Sequence, residues 1–248
     1  MNRASWQSQL KGEPCGVEDT AEMFVLRESD DYQSRIGLGN ALSAQYRFRE
    51  AADAYRSALI IRQDDPMTWL RLGGAALTVF DFGAAHDAFT QFLASGGSEQ
   101  AIAFHMGFWH YLQRDYPAAA AWFAKCLPCG DETKAAAVYW HTLACVRAGR
   151  SPTLLSECSK DMRVGHHGAY LAAVCVFRLE ADAEVITDRA LAQPDDLNCS
   201  IALYGVSVFR EQQGRPELAK QTRQQLLPRD GAWPCLAYLA ALRDEKLN

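Results

Sequence analysis

Gly39, Gly73 and Gly107 follow one another at steps of 34 residues. Ala51, Ala85 and Ala119 keep the same step, and so do Tyr55, Phe89 and Phe123. Three columns held in one phase, each with its own steric demand, do not arise from composition alone. A period of this length is the signature of a stacked helix-turn-helix array, whose units bury their apolar faces only against neighbours. Such arrays seldom carry chemistry. They present a curved surface to another protein, so the period constrains the class of function while leaving the partner unnamed.

Each column has a physical reading. Glycine inside a helix costs about 0.8–1.0 kcal/mol relative to alanine, so its recurrence implies that close approach of the first helix to the second outweighs that cost. The alanines are read as the small residues opposite. The aromatics, four positions later on the same helix face, are read as filling the space between adjacent pairs.

The columns divide the chain. Residues 1–18 contain Gly12, Pro14 and Gly16 without a helical period and read as a flexible lead-in. Asp19 or Thr20 caps a short helix through AEMFVLRE, so 19–30 reads as a capping helix that closes the open end of the array. The three regular units occupy 31–127. After Leu127 the phase slips, and 128–227 reads as degenerate helix pairs: Ala135 to Ala148 with a short second helix from TLLSEC, then Tyr170 to Leu179 with Ala183 to Leu191, then Leu197 to Gln213 with Pro216 to Leu227. Residues 228–248 hold a closing helix from Trp233 to Arg243. No stretch alternates at strand period, and the fold class is all-α, a right-handed α-solenoid of helix pairs.

In the second unit, Trp69, Leu72, Gly73, Ala85 and Phe89 match the pattern W-x2-L-G followed by A-x3-F. On these residues, 31–127 resembles tandem tetratricopeptide repeats. The third unit departs from the family at Cys126, where a small residue is usual, and Phe92 fills that column in the second. The resemblance implies that the first helices line an inner groove, with ligand contacts three before and one after the glycine column. Those positions are Ile36 and Asn40, Leu70 and Gly74, Phe104 and Phe108, with Met67, Leu77, Thr78, Tyr111 and Leu112 beside them. One subclass of the family clamps a terminal carboxylate with cations at these sites. Here Asn40 is present and the cations are not, so the implied groove is apolar and aromatic. It suits an extended peptide or the apolar face of an amphipathic helix. The plainer alternative is that Phe104, Phe108 and Tyr111 pack against the chain's own C-terminal helices or its N-terminal segment. A weaker similarity, to the repeat chaperones of bacterial type III secretion, implies an acidic cytoplasmic protein that holds hydrophobic segments.

The 248 residues carry a formal net charge of −5 without a basic stripe, which argues against nucleic acid as a partner. No apolar run approaches the roughly 18 residues of a membrane span, and a cytoplasmic location is the expectation. Eight scattered cysteines read as reduced, buried thiols. Cys126 and Cys129 form the one C-x2-C, which is half a zinc site or a redox couple only with further ligands. His141, His166 and His167 are conceivable completions at no supporting spacing. The His166–His167 pair reads as an exposed loop, and His105 as a polar contact at the groove edge. Asp64-Asp65 and Asp195-Asp196 read as helix caps. No nucleophile elbow or phosphate loop is present, and no cofactor is expected. The chain therefore reads as a non-catalytic interaction adaptor. A structural subunit that self-associates through the groove, and a zinc or redox protein, are the alternatives.

Overall fold

The computed structural model describes residues 3–128 and 130–245, except the side chain of His167. Every regular element among the described residues is helical. The chain divides into two compact units, one through Ile102 and one from Ala103.

The first unit holds α1 (Trp6–Lys11), α2 (Ala21–Glu28), α3 (Tyr32–Ala44), α4 (Phe48–Ile61), α5 (Pro66–Thr78) and α6 (Phe82–Ala94). α3 packs on α4, α4 on α5 and α5 on α6. Asp31, Asp65 and Asp81 cap α3, α5 and α6 through hydrogen bonds from Ser34, Met67 and Ala84 backbone N–H groups. Asp65 also accepts from the Tyr32 hydroxyl at 2.6 Å, which joins the start of one repeat to the start of the next.

The lead-in is not featureless. Ser5 caps α1, Trp6 is buried, and the Ala4 N–H donates to the Gln45 carbonyl at 2.8 Å. Arg49 closes the contact by donating to the Gln9 and Leu10 carbonyls. A six-residue helix is shorter than any window in which a period shows, and its anchors lie some forty residues away, at the end of α3 and in the first turn of α4.

The glycine columns are explained by rings. A Cβ on Gly39 would come within 3.0 Å of Tyr55, one on Gly73 within 3.0 Å of Phe89, and one on Gly107 within 3.0 Å of Phe123. The aromatic therefore seats on the glycine of its own helix pair, and Phe123 also stacks on Trp140 of the helix that follows, at 6.1 Å between ring centroids. Ala51, Ala85 and Ala119 are fully buried on the same helix. Phe92 is accommodated by a further glycine. Its ring lies where a Cβ on Gly97 would stand, in the connection after α6.

A second 34-residue step appears only in the backbone. Tyr46, Phe80 and Arg114 all have positive φ, at 62°, 61° and 66°. Each sits in the turn between paired helices, and the next N–H donates to a carbonyl five residues back (Arg47 to Leu42 at 3.0 Å, Asp81 to Ala76 at 2.9 Å, Asp115 to His110 at 3.0 Å). This is the Schellman closure of a helix C-terminus. It recurs at Gly149, Leu179 and Gly214, with φ of 66°, 59° and 70°. Three later helices thus end in the turn of the repeats without carrying their side-chain columns.

The second unit holds most of α7 (Glu99–Leu112), then α8 (Tyr116–Ala124), α9 (Asp131–Arg147), α10 (Gly168–Phe177), α11 (Ala183–Ala192), α12 (Asp196–Gln212), α13 (Pro216–Leu226) and α14 (Leu236–Glu245). The segment TLLSEC does not form a second helix. It makes one 3-10 turn, Leu155–Glu157, so α9 lacks a partner of its own. α9 is buried continuously from Ala135 to Cys145 and α12 from Cys199 to Val208. Helices buried on all faces are interior elements, and these two form the centre of the unit. Gly205 lets α12 approach Tyr139 of α9 and Ala173 of α10, where a Cβ would lie 2.7 and 2.8 Å from them.

Candidate functional site

The residues expected to line a groove separate into two groups. In the first unit, Ile36 and Leu77 are buried, Leu70 is half-buried, and Asn40 and Met67 are exposed, Met67 at 48%. Met67, Leu70 and Gly74 share a face of α5, since residues three and four apart stack along a helix. The Asn40 side-chain oxygen accepts from the Tyr55 hydroxyl at 2.9 Å, so the ring that seats on Gly39 also orients this amide.

In the second unit the corresponding positions are interior. Phe108 and Tyr111 are 2% and 3% exposed. Phe108 meets Trp140 of α9 edge-on at 4.7 Å between ring centroids, and Tyr111 meets the same indole at 5.1 Å. Phe104 is half-buried and packs on Phe108 and Phe123 at 4.8 and 5.7 Å. The expected aromatic floor exists, but the chain's own helices cover Phe108 and Tyr111, so these two offer no surface to a partner.

A polar network lies above that floor. The Tyr111 and Tyr204 hydroxyls share a hydrogen bond at 2.9 Å, and Tyr204 donates to Asp244 at 3.2 Å. Arg147 pairs with Asp244 at 2.6 Å and Glu211 at 3.1 Å, and Arg223 pairs with Glu211 and Glu245 at 2.6 Å each. Burial disfavours the Arg147 charge, but the facing Tyr204, Tyr111, Asp244 and Glu211 outweigh it and hold the guanidinium charged. Burial pushes both tyrosine hydroxyls well above their ordinary range. The two acids at the end of α14 thus fasten that helix to α9, α12 and α13. Arg243 adds a bond to the Leu112 carbonyl at 3.2 Å.

Residues 33–64, spanning α3 and α4, match the family model of the tetratricopeptide repeat. The chain carries a tetratricopeptide repeat. Among solved structures, this chain is similar to YrrB, a TPR protein with an unusual peptide-binding site. The two share 15% identity and a TM-score of 0.48 over 92% of this chain and 98% of that one. No curated protein matches it.

Among the described residues, the chemistry-bearing side chains do not converge. Cys129 lies outside the described residues, and Cys126 is buried at the end of α8. Among the described residues no three His, Cys, Asp or Glu side chains gather where a metal could sit. His141 Nε2 lies 3.6 Å from the Cys145 sulfur and 3.5 Å from the Thr153 hydroxyl. Burial lowers the His141 pKa and raises that of Cys145, so the pair is neutral and lacks the thiolate a nucleophile needs. His105 is also held neutral by burial. His110 Nδ1 lies 3.0 Å from the Asp115 carboxylate, beside the cap of α8. His166 is exposed on a 3-10 turn, Gly165–His167. No helix of the described residues is long and apolar enough to cross a membrane.

Proposed function

We propose that this protein is a non-catalytic interaction adaptor, which takes a hydrophobic segment of another protein on the first-helix face of its first unit. One observation carries the reading. Of the expected groove positions, Met67 remains 48% exposed beside half-buried Leu70, with Asn40 exposed on the preceding first helix. Exposed methionine suits a partner segment of varied shape, because its unbranched side chain re-packs easily. The Asn40 amide supplies a polar contact for a peptide backbone. A chaperone for hydrophobic secreted segments, working in the cytoplasm, is the narrower form of this reading.

Site-specific photo-crosslinking in the native cell tests it. Benzoylphenylalanine placed at Met67 or Leu70 gives a discrete adduct with another protein, and placed at Asp87, exposed on α6, gives none. Met67→Asp then abolishes the adduct formed from position 70. An adduct of twice the chain mass supports self-association instead, and no adduct from either position sinks the proposal.

A further inference from the structure

In the second unit a cavity of about 350 Å³ opens between the 3-10 turn Gly165–His167 and helices α10, α11 and α12. Its apolar lining is Ala169, Ala172, Ala190 and Ala202 together with Ile186. Its polar lining is His166, Arg189, Gln193 and Asn198. Two of these side chains are left with bonding capacity that the protein does not use.

Asn198 donates from Nδ2 to the Asp195 carboxylate at 2.6 Å, which fixes the orientation of its amide. Its Oδ1 is then buried without a donor among the described residues. A buried acceptor left this way costs about 1–3 kcal/mol, a cost that a ligand N–H removes. Arg189, exposed on α11, forms no hydrogen bond or ion pair with any described residue. It is not needed to neutralise the end of its own helix. Arg229 already does this by donating to the Leu191 carbonyl at 3.1 Å and to the Ala190 and Gln193 carbonyls. The carbonyl charge that would repel an anion near the end of α11 is therefore compensated, and the Arg189 guanidinium is available.

We propose that this cavity binds a small carboxylic acid bearing an N–H group, about the size of one acylated amino acid. The carboxylate pairs with Arg189, the N–H donates to Asn198 Oδ1, and the body lies over the alanines. The volume falls in the range of small-ligand pockets, roughly 300–1,000 Å³. The alanines and Ile186 give a compact ligand an apolar surface to lie on. The proposal is independent of the first-unit surface.

Methyl-labelled alanine NMR on the full chain tests it, with N-acetylalanine as the probe. The expected result is saturable shifts at Ala169, Ala172, Ala190 and Ala202. N-acetylalaninamide, which lacks the carboxylate, and propionate, which lacks the N–H, each bind about tenfold more weakly, as does N-acetylalanine to Arg189→Gln. This variant changes an exposed side chain and keeps the circular dichroism of the parent. Absence of saturable shifts with N-acetylalanine overturns the proposal. So does equal binding of the carboxamide, or an Arg189→Gln protein that binds as the parent does.

Discussion

The recurring glycine is a contact surface for a ring. At Gly73 the helix-propensity gain of alanine, about 1 kcal/mol, opposes a Cβ driven into Phe89, whose ring is itself 1% exposed and has nowhere to move. Overpacking of a tight core costs typically 1–3 kcal/mol, and a contact under 3.0 Å on a rigid ring lies at the upper end. Gly73→Ala is therefore expected to lower stability by about 1–2 kcal/mol net, measured as a shift in the urea midpoint. Gly83→Ala is the control, because a Cβ there meets only the Asp81 side chain at 4.0 Å, and it is expected to be neutral or stabilising. The glycine spacing was legible in the sequence, but the identity of what it touches was not. Both the alanine and the aromatic columns lie on the second helix, and only the packed pair shows that the ring reaches the glycine.

At the scale of elements, the helices of 31–127 follow from caps and periods, whereas their fastenings do not. Asp19 lies just before α2, and its carboxylate accepts from Arg47 at 2.5 Å and from Arg27. Arg47 also pairs with Glu50 at 2.6 Å. The hydrogen bond from Arg27 first, and that from Arg47, hold the Asp19 carboxyl below its ordinary value of 3.8 against the opposing effect of burial. A carboxyl with a depressed folded-state pKa contributes stability that is present above its unfolded value. That stability is lost as the pH falls through the folded one. The parent should thus lose stability below about pH 4, whereas Asp19→Asn starts lower by about 2 kcal/mol at pH 7 and shows a flatter acid limb. Urea midpoints from pH 7 to pH 3 check this, and parallel acid limbs would refute it. The Schellman turns were hidden for a related reason. Tyr46, Phe80, Arg114 and Leu179 adopt a backbone conformation that glycine usually supplies, so their side chains gave no signal of it. Only Gly149 and Gly214 did.

At the scale of the whole molecule, the second unit is held by contacts between distant parts of the sequence. Arg147 meets Asp244 across 97 positions, and Arg243 meets Leu112 across 131. Replacing one member of a buried ion pair leaves its partners uncompensated, at about 3–5 kcal/mol. Arg147→Met is therefore expected to cost about 3 kcal/mol in the second unit, seen as earlier exposure of buried Trp140 in denaturant-dependent fluorescence. Adding Asp244→Leu should return part of the loss, and a single variant as stable as the parent would show the network to be incidental. By itself the sequence determined the all-α class, the repeat phase over 31–127 and the caps at Asp65 and Asp195, because these depend on residues within a few turns of one another. It also set which side of α7 carries Phe104, Phe108 and Tyr111. Only the tertiary structure decided that Phe108 and Tyr111 are covered. A helical period fixes the direction of a side chain from its own axis, but what fills the space it points into depends on α9, α12 and α14, whose approach no local pattern encodes.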